Sequence, residues 1–226
     1  MLQVAHLRTV SEPKQARSEK TLQRLLDAAE VLIAEKGHKA VSIPDIARRA
    51  KSSVGGFYAR FRDKNELLRA LEERHFIELS LRVERLADAS RWAAAPTVAI
   101  VEAAVGELVS TTREKRPLIA AFLANALDDP ILLEGGLRFR RSVEERLSAL
   151  FLLRRDEMTH PDPRLAIDLA IQTAFAIMQQ HVLLEETHAA GHTLSDTELQ
   201  REIATLVLRY LGIEPHRPPA ARQRRG

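Results

Sequence analysis

No cysteine occurs anywhere in the 226 residues. That excludes disulfides, thiolate nucleophiles and cysteine-held metals, and it fits a reducing compartment. Long apolar runs are missing too. The richest stretch, Leu165 to Leu184, is interrupted by Asp168, Gln172, Gln179, Gln180 and His181, so it reads as a buried helix and not a membrane span. Met1 to Lys20 carries no apolar core ahead of a small-residue cleavage site, so no signal peptide is expected and a cytoplasmic location follows. No run alternates at period two for long enough to make a strand. Nor does the chain hold a Ser/His/Asp set, a paired-carboxylate motif or a phosphate loop, the marks of an enzyme. No catalytic residue, cofactor or metal is therefore expected. His181, Glu185, His188 and His192 recur at helical spacing, but without cysteine or a convergent third segment they suit an exposed helix better than a metal site.

What is present is an ordinary globular balance, 45% apolar and 29% charged, enough for a sizeable core. Charge is unevenly spread. Residues 1–75 hold fifteen Lys/Arg against ten Asp/Glu, a net of +5. Residues 76–213 hold fifteen against twenty, −5, and residues 214–226 four against one, +3. The three sum to the overall +3. A basic first third on an acidic body suits an anionic partner docking at one end, nucleic acid first among them.

Almost every long segment has helical period. Leu22, Leu25, Leu26, Ala29, Leu32 and Ile33 form one face of a helix that Gly37 should close. Ser42 then precedes Ile43-Pro44-Asp45-Ile46-Ala47-Arg48-Arg49-Ala50, with a capping hydroxyl, an acid three residues on and a proline in the first turn. After a short turn comes Val54, Phe57, Tyr58, Phe61, and then Asp63 and Glu66 open a long helix through Leu67, Leu68 and Leu71. Pro96, Pro117, Asp128-Asp129-Pro130 and Pro161-Asp162-Pro163 punctuate the rest, each proline read as a helix start. Two late helices are expected, Leu165 to about His188 and Ser195 to Leu211 with Gly212 as its stop. The Pro/Arg-rich segment 214–226 should be a disordered basic tail. No internal repeat is found.

Two short helices with a tight turn, packed on a longer one, describe a helix-turn-helix. Small, hydroxylic and cationic groups crowd the second short helix: Lys51, Ser52, Ser53, Gly55, Gly56, Tyr58 and Lys64. A low face of Ser53, Gly55 and Gly56 would let the helix sit deep in a major groove, and hydroxyls and ammonium groups are the usual phosphate ligands. Adjacent glycines cost roughly 2 kcal/mol of helix propensity, which also suits a plain loop.

Residues 17–68 resemble the DNA-binding domain of the tetracycline-repressor (TetR) family. The matching positions are Ala28-Ala29, Gly37, Ser42-Ile43-Pro44-Asp45-Ile46-Ala47, Ala50, Ser53, Gly55, Tyr58, Phe61, Lys64 and Glu66-Leu67-Leu68. The resemblance implies an all-α homodimer: an amino-terminal three-helix DNA-binding domain (17–68), followed by a helical ligand-binding and dimerisation domain (69–213). Residues 1–16 would be a flexible basic arm. It implies further that Ser42 caps the second helix at the DNA backbone, that Ser53, Gly55 and Gly56 begin the recognition helix, and that Tyr58 and Lys64 meet phosphate. Two positions depart from the pattern. Lys51 replaces a turn glycine, and Gly56 replaces the commoner Thr or Ser. With so little hydrogen bonding on the glycines, Lys51, Ser52 and Val54 become the better base-reading candidates.

In the body, Trp92, Phe122, Phe139, Phe175 and Met178 are the bulky groups from which a small-molecule effector pocket would be built, although core packing explains each of them singly. Arg138, Arg140 and Arg141 flank Phe139 and would attract an anion or simply face water. For the dimer, Leu165, Leu169, Gln172, Ala176, Gln179 and Leu183 form a stripe with small neighbours, and Leu199, Ile203, Leu206, Val207 and Tyr210 a second. The expected function is a ligand-responsive repressor released from a palindromic operator. A helical-pocket enzyme and a helical scaffold are the alternatives, and the scaffold leaves Tyr58, Lys64 and the glycine-serine face without a purpose.

Overall fold

The structure, a computed structural model, describes residues 16–184, 186–189 and 191–214. Of the arm expected at 1–16 and the tail expected at 214–226, residues 1–15 and 215–226, with Arg8, Lys14 and Arg217, Arg222, Arg224 and Arg225, lie outside them, as does Glu185. Eight α-helices are described: α1 Ala16–Lys36, α2 Ile43–Arg49, α3 Val54–Tyr58, α4 Lys64–Ala87, α5 Thr97–Ala126, α6 Pro130–Leu152, α7 Pro163–Leu183 and α8 Asp196–Leu211. The all-α expectation holds, with one exception, a pair of two-residue strands: His188–Ala189 pairs antiparallel with His192–Thr193 around Gly191, whose φ is +83°.

The chain divides into two compact units, one of residues up to Val83 with Thr112–Val143, the other of Glu84–Thr111 with Glu144 onward. The first unit has one continuous core. The predicted face of α1 (Leu22, Leu25, Leu26, Ala29, Leu32 and Ile33) is buried throughout, against Ile46 of α2, Phe57 of α3 and Leu67, Leu68 and Leu71 of α4. Leu118, Phe122 and Leu132 from α5 and α6 complete it. Removing each large side chain from water contributes roughly 1.5–3 kcal/mol, so the short helices α2 and α3 are held by packing and not by propensity. Polar ties reinforce the core's edge. Arg74 on α4 bonds Asp27 at 2.6 Å and Glu30 at 2.7 Å on α1, and Lys115 on α5 also bonds Glu30. Burial opposes ionisation of Glu30, but these two cations more than offset it and its pKa falls.

Pro117 does not begin a helix. It lies inside α5, where its missing amide and its ring disturb the preceding turn; Lys115 is non-helical at φ −119°, ψ 19° and the helix kinks there. Pro130 and Pro163 do open α6 and α7.

In the second unit α7 packs on α8. α7 begins with Asp162 capping the amide of Leu165 at 3.0 Å and ends at Leu183, five residues before the expected His188, because the strand pair takes over. His181 and His188 therefore do not share a helix face, and among the described residues no group of three His, Asp or Glu is gathered for a metal. α8 carries the Ser195–Glu198 capping box and stops at Gly212, φ +74°. The α7 stripe of Leu165, Leu169, Gln172, Ala176, Gln179 and Leu183 is exposed, while its small neighbours Ala166, Ala170 and Ala174 are buried. The α8 stripe differs from expectation: Leu199, Ile203 and Val207 close this unit's own core, Tyr210 is half-buried and only Leu206 is exposed.

Candidate DNA-binding surface and a groove in the same unit

Ser42 initiates α2 through a full capping box. Its Oγ accepts from the Asp45 amide at 3.3 Å, while Asp45 Oδ2 accepts from Ser42 Oγ at 2.7 Å and from its amide at 3.4 Å. The same carboxylate takes Lys36 Nζ at 2.8 Å and a hydrogen bond from Arg48. The Lys36 bond, followed by those from Ser42, holds Asp45 far below the usual carboxylate range. Arg49 reaches Glu35 at 2.9 Å. Exposed pairs of this kind contribute little energy singly, but two of them join the end of α1 to α2 and fix how α2 is rotated.

The turn from α2 to α3 is closed by Ser52 N donating to Ala47 O at 2.8 Å. Lys51 stands in it with φ +50°, the only non-glycine with positive φ among the described residues. Ser53 caps α3, its Oγ accepting from Gly56 N at 2.9 Å. Phe57 is the anchor, fully buried and 5.3 Å from Phe61. A five-residue helix anchored on one side must present the other outward. Lys51, Ser53, Val54 and Gly55 are exposed, Ser52 and Gly56 half-buried, and Tyr58 is 55% exposed. The surface is low, with one aromatic hydroxyl standing from it.

Lys64 is placed differently. At the start of α4 its Nζ donates to His38 O at 3.0 Å and to Val41 O at 3.1 Å, closing the loop between α1 and α2. Burial lowers its pKa. An ammonium has three donors, so one remains for another acceptor.

The five bulky body residues divide between the two units, Phe122 and Phe139 in the first and Trp92, Phe175 and Met178 in the second. Phe122 belongs to the core of the first unit, 5.9 Å from the His75 ring. Phe139 stacks on Phe76, centroids 4.4 Å apart. In the second unit Trp92 is half-buried and donates to Leu86 O at 2.8 Å, Phe175 is half-buried and Met178 fully buried. Phe139 lines a groove of about 680 Å³ between α4 and α6, with Glu72, Phe76, Gly135 and Arg138. Sequence reasoning missed Glu72. Its signal was indirect, a Gly135-Gly136 pair inside a helix that has no turn to make.

The sequence profile described as "Bacterial regulatory proteins, tetR family" matches residues 25–71, from within α1 to within α4. The match covers the helix-turn-helix segment and the start of α4, so it is this segment that is similar to the tetR family. The chain is 31% identical over 86 residues to the transposon Tn10 TetC protein of Escherichia coli, covering 38% of this chain and 44% of that one. The chain thus aligns with less than half the length of that curated relative. Solved structures share the fold over more of the chain. A Mesorhizobium loti protein assigned to the TetR family is 21% identical, covering 88% of this chain and 98% of that one, TM-score 0.65. PfmR, a TetR-family transcriptional regulator from Thermus thermophilus, is 20% identical, covering 82% and 97%, TM-score 0.62. A transcriptional regulator from Cytophaga hutchinsonii is 14% identical, covering 84% and 96%, TM-score 0.66. At these identities the likeness is one of fold.

The two departures from the TetR pattern now have a local reading. Lys51 adopts the positive φ that a turn glycine would take freely, at a modest conformational cost. At Gly56, a Cβ would lie only 2.5 Å from Ser52 Oγ and 3.3 Å from Ser53 Oγ. Ser52 thus occupies the space that a larger residue at 56 would take.

Proposed function

We propose that this chain is a TetR-family regulator, a cytoplasmic homodimeric repressor that binds a palindromic DNA operator and is released by a small molecule. The observation that carries the DNA reading is the α3 face: low, polar, cationic at Lys51, with Tyr58 exposed above a buried anchor. A duplex phosphate backbone accepts hydrogen bonds from such hydroxyls, and small residues let the helix approach base edges. In this reading Ser42, Ser53, Tyr58 and the third donor of Lys64 position the backbone, while Lys51, Ser52 and Val54, around Gly55 and Gly56, read bases. The divisions 17–68 for DNA binding and 69–213 for ligand binding and dimerisation belong to the same proposal. Among the described residues no helix is long and apolar enough to cross a membrane.

The exposed α7 stripe supports a homodimer. Leu165, Leu169, Ala176, Leu183 and Leu206 of α8 give it an apolar surface, which an isologous twin would cover. A palindromic operator needs two heads about 34–36 Å apart, which a dimer supplies. Site selection from random DNA, read by fluorescence anisotropy, should return two-fold symmetric sequences. Leu169→Glu with Ala176→Glu should give a monomer by light scattering and weaken operator binding on the order of 10²–10⁴-fold. Ala174 and Ile203 are unsuitable for this test, being 7% and 2% exposed in the unit's own core. No selected sequence, or a double variant that still dimerises, would overturn the corresponding half of the proposal.

A further inference from the structure

The groove between α4 and α6 has three features that packing alone leaves unexplained. Glu72 is 6% exposed, yet among the described residues its carboxyl makes no hydrogen bond and no ion pair. The cations lining the groove are committed elsewhere: Arg69 to Asp129 at 2.8 Å, Arg138 to Glu134 at 2.6 Å and Arg62 to Glu66 at 3.3 Å. Gly135 and Gly136 weaken the helix they interrupt, and a Cβ at Gly135 would strike Glu72 Oε2 while one at Gly136 would lie 3.8 Å from Oε1. Lastly, Phe76 and Phe139 stack with planes 1° from parallel along the same groove. A glycine cradle, a buried acid without a partner and an aromatic wall together make a built site.

We propose that this groove binds an organic cation with a flat apolar body, its ammonium seated on Glu72 and its body along Phe76 and Phe139. An unpaired buried carboxyl is completed by a ligand that brings N–H donors and positive charge. A carboxylate ligand would instead add to the repulsion from Asp129, already ionised beside Arg69. Aromatic faces attract cations, and the volume suits a drug-sized molecule. Burial, helped by Asp129 and opposed by Arg138, pushes Glu72 up to about 8. The charged groups around it are Asp129 and Arg138 on the α6 side, and Arg69 and Glu73 on α4. At pH 7 Glu72 is therefore mostly protonated, and seating a cation sends its proton to solvent: carboxylic acid plus ammonium gives a carboxylate–ammonium pair and one released proton.

The test is calorimetry on the full chain at pH 7, in two buffers of different protonation enthalpy, with 1-naphthylmethylamine, 1-naphthylmethanol and 1-naphthoate as probes. The amine should bind at least about tenfold tighter than the other two, release close to one proton, and gain up to about tenfold in affinity between pH 6 and 7. Glu72→Gln should lose about tenfold for the amine and abolish the proton release; Gly135→Ala, which pushes the carboxyl from its cradle, should weaken the amine in the same way. Naphthoate binding tightest, amine binding indifferent to Glu72→Gln, or no probe binding at all would overturn the site. Its role as effector site rests on the regulator reading, so the titrations use protein without DNA and are then repeated on operator complexes. An amine that binds the free chain but leaves operator affinity unchanged would remove the regulatory role and leave the site standing.

Discussion

Within its first three turns α4 treats its polar groups in opposite ways. At its first residue, Lys64 places its ammonium on two backbone carbonyls, and Arg74 further along meets two carboxylates of α1. Between them, Glu72 is as buried as a core leucine and bonds to nothing described. Satisfied groups hold a frame in one geometry; an unsatisfied one costs free energy for as long as its complement is missing. The frame that holds α1, α2 and α4 together is thus built from paired groups, and the groove is not.

The largest effect should come from ending that contrast at Glu72. Its folded pKa, about 8, lies above its ordinary value of 4.5, so between those values the folded chain holds a proton that the unfolded chain has released. Its contribution is therefore fully present below about pH 4.5 and is lost as pH rises through 8, on the order of 4 kcal/mol across the window. Thermal melts of Glu72→Gln and wild type should nearly coincide at pH 5, with the variant melting well above wild type at pH 8. The difference isolates Glu72, because His75, whose pKa burial lowers to about 4, titrates alike in both. Parallel melting curves at both pH values would show that Glu72 is ionised in the folded chain.

Lys64→Met breaks the satisfied end. Leaving His38 O and Val41 O without their charged donor should lower stability by about 2 kcal/mol, seen as a shifted urea midpoint with unchanged slope. If its third donor also meets phosphate, the salt dependence of operator binding should fall by about 0.9 per subunit. An unchanged urea midpoint would remove the loop-closing role. Gly37→Ala tests the same loop through its backbone. Gly37 sits at φ +76°, ψ 152°, a region open essentially to glycine, so about 1–3 kcal/mol should be lost although a Cβ would touch nothing. Smallest is Tyr58→Phe: stability within about 0.5 kcal/mol of wild type, and operator affinity down by about 1 kcal/mol by anisotropy. Undiminished affinity would take the hydroxyl off the phosphate list.

Much of this was legible in sequence because it is local. The three-and-four spacing in α1, the Ser42 cap, the start of α8 near Ser195 and the stops at Gly37 and Gly212 depend on residues within a turn or two of one another, and each stands where the pattern puts it. The α7 stripe was legible for the same reason: a face that helical period defines and that its own unit leaves exposed. Other features were not local. Pro117 kinks a helix instead of opening one because α5 continues on both sides of it, with core residues Val109 and Leu118 packed before and after. Ile203 and Val207 have the spacing of an interface but meet their own unit first.

By itself, then, the sequence determined most of the helices, several of their caps, the helix-turn-helix and the resemblance of that segment to a known family. Only the tertiary structure decided that Lys64 closes a loop 26 residues back at His38, that Ser52 fills the space above Gly56, and that Glu72 faces two glycines some sixty residues ahead. The reason is physical. Periodicity and capping are encoded by neighbours along the chain, whereas the partner of a buried charge is set by which helices pack together, and no short-range pattern records whether that partner is present.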